Sequence, residues 1–291
     1  AGTGGTGAFS VVQEAVTDLP EFYYCAKLLC TTADTSLAAG AYHTFWPVAI
    51  EGLDANRLMW GTSNAKNIVY SFYVKSNKTG SYGGAVGNYG NNRSFPFNYT
   101  INSANTWERK VIKIPGDTTG TYNRNNEGSI KVTMSLGNGS NYTGTANQWN
   151  ASEDMAPTSH VNWMDSTSNN YYITGVQFEE GDEVTPFEHR PYAEEFKLCQ
   201  RYYQDWQDWT HPAQRGLDSN YDGHIIIDTL RIDMRANPTI TNTSYGWIAN
   251  GSSWVDGSAS EAASIHNDPS SDYPGRYVKI TVAWSWDTNS Q

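Results

Sequence analysis

The stretch NIVYSFYVKS, residues 67–76, alternates without a break. Ile68, Tyr70, Phe72 and Val74 fall on one side of an extended chain, and Val69, Ser71, Tyr73 and Lys75 on the other. A period of two is the mark of a strand with one face in a core. The same period runs through SFPFNYTI (94–101), ERKVIKIPG (108–116), SIKVTMSLG (129–137) and YYITGVQFEE (171–180). FYYCAKLLCTT (22–32) and AYHTFWPVAIEG (41–52) read as further strands, and Pro47, which has no N–H to donate, predicts an edge or a bulge in the second. Between these runs lie SNKTGSYGG, GNYGNNRS, PGDTTGTYNRNNEG and GNGSNYTGT, rich in residues that form turns. Many short strands with frequent turns predict a jelly roll or β-sandwich over residues 9–187.

The period then changes. From Pro191, Phe196, Cys199, Tyr203 and Trp206 recur at spacings of three and four, with Tyr192 one turn earlier. Pro191 suits a first helical turn, and Glu194 and Glu195 precede Lys197 and Arg201 as the helix dipole favours. A connector helix is expected within 188–210. Its stripe has two destinations: the chain's own sandwich, which we favour, or an axis shared by copies of the chain. Alternation resumes in residues 211–291, where Val278, Ile280, Val282, Trp284 and Trp286 line one face. That length suits a smaller C-terminal β domain. Trp284 and Trp286 would need cover that so small a domain lacks, which points to contact between copies. The whole is mostly β.

Composition narrows the class. Charged residues make up 17% of the 291 and aromatic ones 13%, the balance of a many-stranded protein whose turns and surface use Gly, Asn, Ser and Thr. The net charge of −11 repels a phosphate backbone, so nucleic acid is not an expected partner. No apolar run approaches the ~20 residues needed to span a bilayer, so no membrane insertion is expected. AGTGGTGA, residues 1–8, reads as a flexible Gly-rich lead-in; it has the G-x-G-x-x-G spacing but no preceding strand. Cys25 and Cys30, an odd offset apart on one strand, point to opposite faces and should not pair; with Cys199 they are expected as buried thiols.

Rings in turn-rich segments carry the functional signal. Sugars offer flat C–H faces that pack on Trp and Tyr, and hydroxyls that pair with amides and guanidinium groups. The candidates are Trp60, Tyr82, Tyr89, Tyr142, Trp149 and Trp163, with Asn88, Asn91 and Arg93 beside them. Trp247, Trp254 and Tyr273 lie in Gly/Ser/Asn-rich loops of the C-terminal part. The competing reading is that such rings plug the ends of the core. Glu179, Glu180 and Asp182 cluster beside a turn and are candidate ligands of a structural calcium, though their spacing does not match the known calcium loop. No cofactor is otherwise expected. H-E-x-x-H, C-x-x-C and G-x-S-x-G are absent, so no enzymatic activity is expected.

Several segments resemble a module of bacteriophage tail fibres and related virion appendages of the marine and cyanophage type. They are CTTADTSLAAG (30–40), IEG (50–52), GTSNAK (61–66), SFYVKSNKTGSY (71–82), ANTWERK (104–110), IPGDTTGTY (114–122), SLGNGSNYTG (135–144), MDST (164–167), the block from ITGVQFEEG to CQRYY (173–203) and MRANPTIT (234–241). The resemblance implies a jelly roll similar to carbohydrate-binding modules, carried on a homotrimeric fibre outside the cell. It implies host-surface glycans and other virion proteins as partners, and no bond cleavage. Two alternatives stand beside it: a purely structural fibre or adaptor component, and a secreted bacterial carbohydrate-binding module.

Overall fold

The computed structural model describes residues 2–203 throughout and, beyond them, the backbone of the strands in 223–229, 248–250, 253–255, 260–266 and 277–283. The chain divides into two compact units, Ala1–Glu188 and His189–Gln291.

The first unit is a β-sandwich. Its strands are β1 (Gly2–Thr3), β2 (Ala8–Ala15), β3 (Tyr24–Thr32), β4 (Tyr42–Glu51), β5 (Ile68–Ser76), β6 (Gly80–Asn88), β7 (Ser94–Ile101), β8 (Glu108–Ile114), β9 (Gly128–Asn138), β10 (Thr143–Gly144), β11 (Ala156–Pro157) and β12 (Asn170–Glu180). A short helix, α1 (Gly52–Ala55), follows β4. Two five-stranded antiparallel sheets face each other, in the orders β1-β4-β9-β6-β7 and β2-β3-β12-β5-β8. They are called the first and second sheet below.

The core lies where the alternation places it. Ile68, Tyr70, Phe72 and Val74 of β5 are fully buried against Ile130, Val132, Met134 and Leu136 of β9, with Phe95, Phe97, Tyr99 and Ile101 of β7 completing the layer. Both faces of β9 are buried, because on its other side the excursion carrying β10 and β11 folds back over the first sheet. Gly83 of β6 permits that close approach: a Cβ there would sit 2.3 Å from Cδ of Pro157.

Pro47 sits in a bulge. Phe45 pairs with Met134 and Val48 with Val132, so β4 spends one residue more than β9 over that step. The strand is also an edge past Thr44, because β1 pairs only with His43 and Thr44.

The opening residues differ from the flexible lead-in expected of them. Gly2–Thr3 pairs with β4, the N–H of Gly4 donates to O of Tyr42, and the N–H of Thr6 donates to Asp34. The cause is the edge of β4, whose unpaired backbone groups recruit the segment, and the small size of Gly7, which is buried against Met164.

In the second unit, α2 (Tyr192–Gln200) is shorter than the interval read for it. Its stripe is not buried: Tyr192 is 81% exposed, Tyr203 71% and Phe196 45%, and Cys199 is exposed as well. Within the helix, Phe196 stacks on Tyr192 one turn away at 5.9 Å. The later strands are β13 (Gly223–Thr229), β14 (Ile248–Asn250), β15 (Ser253–Val255), β16 (Ser260–His266) and β17 (Tyr277–Ala283). They form a three-stranded antiparallel sheet, β13-β17-β16, and a β14-β15 pair. Trp206, Trp247, Tyr273, Trp284 and Trp286 lie outside the described residues. For Trp254 only the backbone is described, on β15 opposite Ala249.

Candidate functional site

Three of the rings read as ligand contacts belong to the core. Tyr82 points inward from β6, and Trp60 and Trp163 turn in from the loops beside the sheets; all are nearly or fully buried. Each polar atom is satisfied inside: Trp60 Nε1 donates to O of Lys66, Trp163 Nε1 to O of Asn170, and the Tyr82 hydroxyl to O of Lys78. A twisted sandwich leaves its ends open, and these large side chains close them. Tyr142 is half-buried and packs edge-on against Tyr42.

Arg93 and Trp149 form a second structural group. The Arg93 guanidinium grips Asp117 with two hydrogen bonds, Nε to Oδ2 at 2.8 Å and Nη2 to Oδ1 at 2.6 Å. The Tyr122 hydroxyl donates to the same carboxylate at 2.8 Å. Burial pushes the Asp117 carboxyl up, and the donors from Arg93, Tyr122 and Thr119 together outweigh it, so its pKa lies below the ordinary value. Burial, then the Asp117 charge, holds the Tyr122 phenol well above its ordinary range. Trp149 packs against Trp60 and Phe95 beneath the Arg93 guanidinium and donates through Nε1 to O of Pro115. The guanidinium and the indole N–H thus serve the packing of the sandwich end.

Tyr89 is different. It opens the turn between β6 and β7, is 37% exposed, and meets a ring that the loop criterion missed: Trp46, 45% exposed, on the bulge of β4. The two centroids are 6.2 Å apart at an interplanar angle of 69°. Lys131 of β9 lies over the Trp46 ring, its Nζ 4.8 Å from the centroid. In register, Lys131 pairs with Gly87 of β6 on one side and Ala49 of β4 on the other. Small neighbours on both strands leave the lysine stem room to lie along the sheet. Gly128 seats Tyr89, since a Cβ at that position would be 2.4 Å from the ring.

The polar groups of this face are also placed. Asn91 adopts a left-handed backbone (φ 57°) at the tip of the turn, and its Oδ1 accepts from Lys131. Asn88 holds the turn by accepting from the N–H groups of Asn92 and Arg93. Glu153 lies 3.8 Å from Lys131 Nζ. Burial lowers the pKa of Lys131, and Glu153 opposes that shift. The face therefore presents two part-exposed rings, an amide and a carboxylate within one patch, over the buried Lys131 ammonium that Asn91 and Glu153 hold. Such a patch suits a ligand with flat apolar faces and many hydroxyls.

The acidic turn does not gather its carboxylates. Glu180 accepts from Lys66 at 2.7 Å, Asp182 from Asn67 at 2.6 Å, and Glu179 from the N–H and hydroxyl of Thr185. Among the described residues, no three His, Cys, Asp or Glu side chains are placed to hold a metal ion. Each carboxylate is claimed by a separate donor across the turn, which is why the cluster in sequence is not a cluster in space.

No family model and no curated protein matches the chain. Among solved structures, it is similar to the enzymatically active domain of tailspike protein 4 of bacteriophage CBA120, with 12% identity over 60% of this chain and a TM-score of 0.30. It is similar at the same TM-score of 0.30 to a CBM4 structure, with 13% identity over 61% of this chain and 81% of that one. A third is the CBM22-1-GH10 modules of Clostridium thermocellum xylanase 10B complexed with xylohexaose, with 14% identity over 64% of this chain and a TM-score of 0.26. The chain spans 18% of the length of the tailspike chain and 26% of the xylanase chain.

Proposed function

We propose that this chain is a non-catalytic, glycan-binding component of a phage virion appendage, a tail fibre or spike, that works as a homotrimer at the host surface. The observation that carries the binding is the part-exposed pair Trp46 and Tyr89, flanked by Lys131 and Asn91 on the first sheet. Rings supply the stacking surface for a sugar, and the Asn91 amide, held in place by Lys131, pairs with its hydroxyls. The appendage role is supported by the ordered segments of residues 30–241 that resemble tail-fibre modules. Weak single sites are expected, made effective by engaging several at once.

Two measurements test this. Retention of the chain on a glycan array, or on intact cells of a bacterial panel, should fall about tenfold in Trp46→Ala with the thermal midpoint unchanged. Light scattering should give the mass of three chains. If no glycan or cell is retained by the wild type, the structural fibre reading replaces this one. A monomer at high concentration removes the trimer.

A further inference from the structure

The second sheet carries a hollow of its own on its outward face, a cleft of about 200 Å³ walled by Glu14–Asp18, Cys25, Lys75, Trp107 and Tyr172. Its floor follows from register. Lys27 of β3 and Lys75 of β5 both pair with Tyr172 of β12, so an ammonium flanks the ring on each side. Lys75 Nζ is 4.9 Å from the centroid of Tyr172 and 4.8 Å from that of Trp107, and Lys27 Nζ is 5.5 Å from Tyr172.

The hydrogen bonds leave an imbalance. Asp18 is used on both oxygens, accepting from Trp107 Nε1 at 2.8 Å and from Lys75 at 2.8 Å. Glu14 accepts from Lys27 at 3.0 Å. An ammonium carries three N–H donors. Each lysine spends one on its acid, whose oxygens are largely taken; Lys75 lines the cleft itself, and Lys27 borders it through Glu14 and Tyr172. Glu14 and Asp18 balance the two lysine charges, so these four side chains carry no net charge between them. Acceptors are what the cleft lacks, and an indole forms one wall. The volume is below the ~300–1,000 Å³ of sites for drug-sized ligands, which suits one sugar unit rather than a chain of them.

We propose that this cleft is a second binding site, for a carboxylate-bearing sugar of the hexuronic acid class, held by Lys27 and Lys75 beside Trp107. It stands independently of the reading given to Trp46. The carboxylate takes the spare ammonium donors, and the pyranose ring lies against Trp107.

The test is a titration of the full chain with galacturonic acid and, in parallel, with galactose, followed by ¹H–¹⁵N spectra and calorimetry. Galacturonic acid should shift the Trp107 indole N–H, whose partner is Asp18, and galactose should not. Lys75→Gln and Lys27→Gln should each weaken uronate binding about tenfold, the scale of one charge-assisted contact. Trp46→Ala should leave it unchanged. The proposal is overturned if galactose binds as well as galacturonic acid, if the Trp107 indole does not respond to the uronate, or if both lysine variants bind like the wild type. Lys27 sits on the sheet surface, so its variant reads binding even if Lys75→Gln fails to fold.

Discussion

Tyr99 on β7 and Tyr171 on β12 share a hydrogen bond across the interior, their hydroxyl oxygens 2.9 Å apart, and so tie one sheet of the sandwich to the other. Both residues are buried. Tyr171→Phe leaves the Tyr99 hydroxyl buried without its partner, at a cost of about 1–3 kcal/mol. The double variant Tyr99→Phe/Tyr171→Phe removes both polar groups and should cost less than the sum of the two single changes. Urea unfolding of the four proteins measures this coupling.

The same interior resists alkali. Burial pushes the phenol of Tyr82, which stacks on Tyr99, up to about 12 from an ordinary 10.0. Burial also raises Tyr70, Tyr99 and Tyr171. A raised folded-state pKa gives stability that is complete below pH 10 and lost as pH climbs through the folded value. Tyrosinate absorbance should therefore keep a late component, because these interior phenols ionise only with the loss of stability that follows toward pH 12.

Acid acts through a different residue. Burial alone would raise Glu108, but hydrogen bonds from Lys110, Ser103 and Asn102 bring it down to about 2 from an ordinary 4.5. A depressed carboxylate gives stability above pH 4.5 that disappears as pH falls toward 2. In Glu108→Gln, stability at pH 7 should drop, and its slope over that acid window should flatten. Thermal melts at intervals between pH 7 and pH 2 provide the comparison.

Arg93 looked like a ligand contact in sequence and is a strut in space. Arg93→Lys keeps the charge but loses the two-pronged grip on buried Asp117, and should destabilise the chain by on the order of 1–3 kcal/mol. Gly128→Ala makes the opposite test. It should push Tyr89 off its seat and weaken glycan retention more than it lowers the melting temperature. Equal stability losses with no change in retention would remove Tyr89 from the binding face.

The thiols divide by burial. Cys25 and Cys30 are buried, and burial raises their pKa values; Cys199 is exposed. A thiol reagent should modify Cys199 at once in the native chain, and Cys25 and Cys30 only after unfolding. Rapid modification of more than one site would contradict the packing of β3.

How far the chain could be read in advance depended on range. Alternation in residues 68–74 is local, and it placed every inward residue of β5 correctly. The bulge at Pro47 was also local, since a missing N–H announces itself. Ring exposure is not a local property. Trp60 and Trp163 sit among turn residues yet point inward, because only the assembled sheets create the openings they fill. Trp46 sits within a strand-like run yet points outward, on the face opposite its buried neighbour Phe45. A ring immediately before a strand proline was the available cue. For the acids around Glu179, adjacency in sequence concealed partners more than a hundred residues away, such as Lys66 for Glu180.

The proline in β4 has one more effect. Past Thr44 that strand offers a free margin, and a flat margin is an invitation to any passing extended segment. With its donor missing and its course bent at Pro47, β4 makes a poor template there. Chains crowded side by side at high local density should thus meet without zipping together, and the outward ring beside the kink stays available to other molecules.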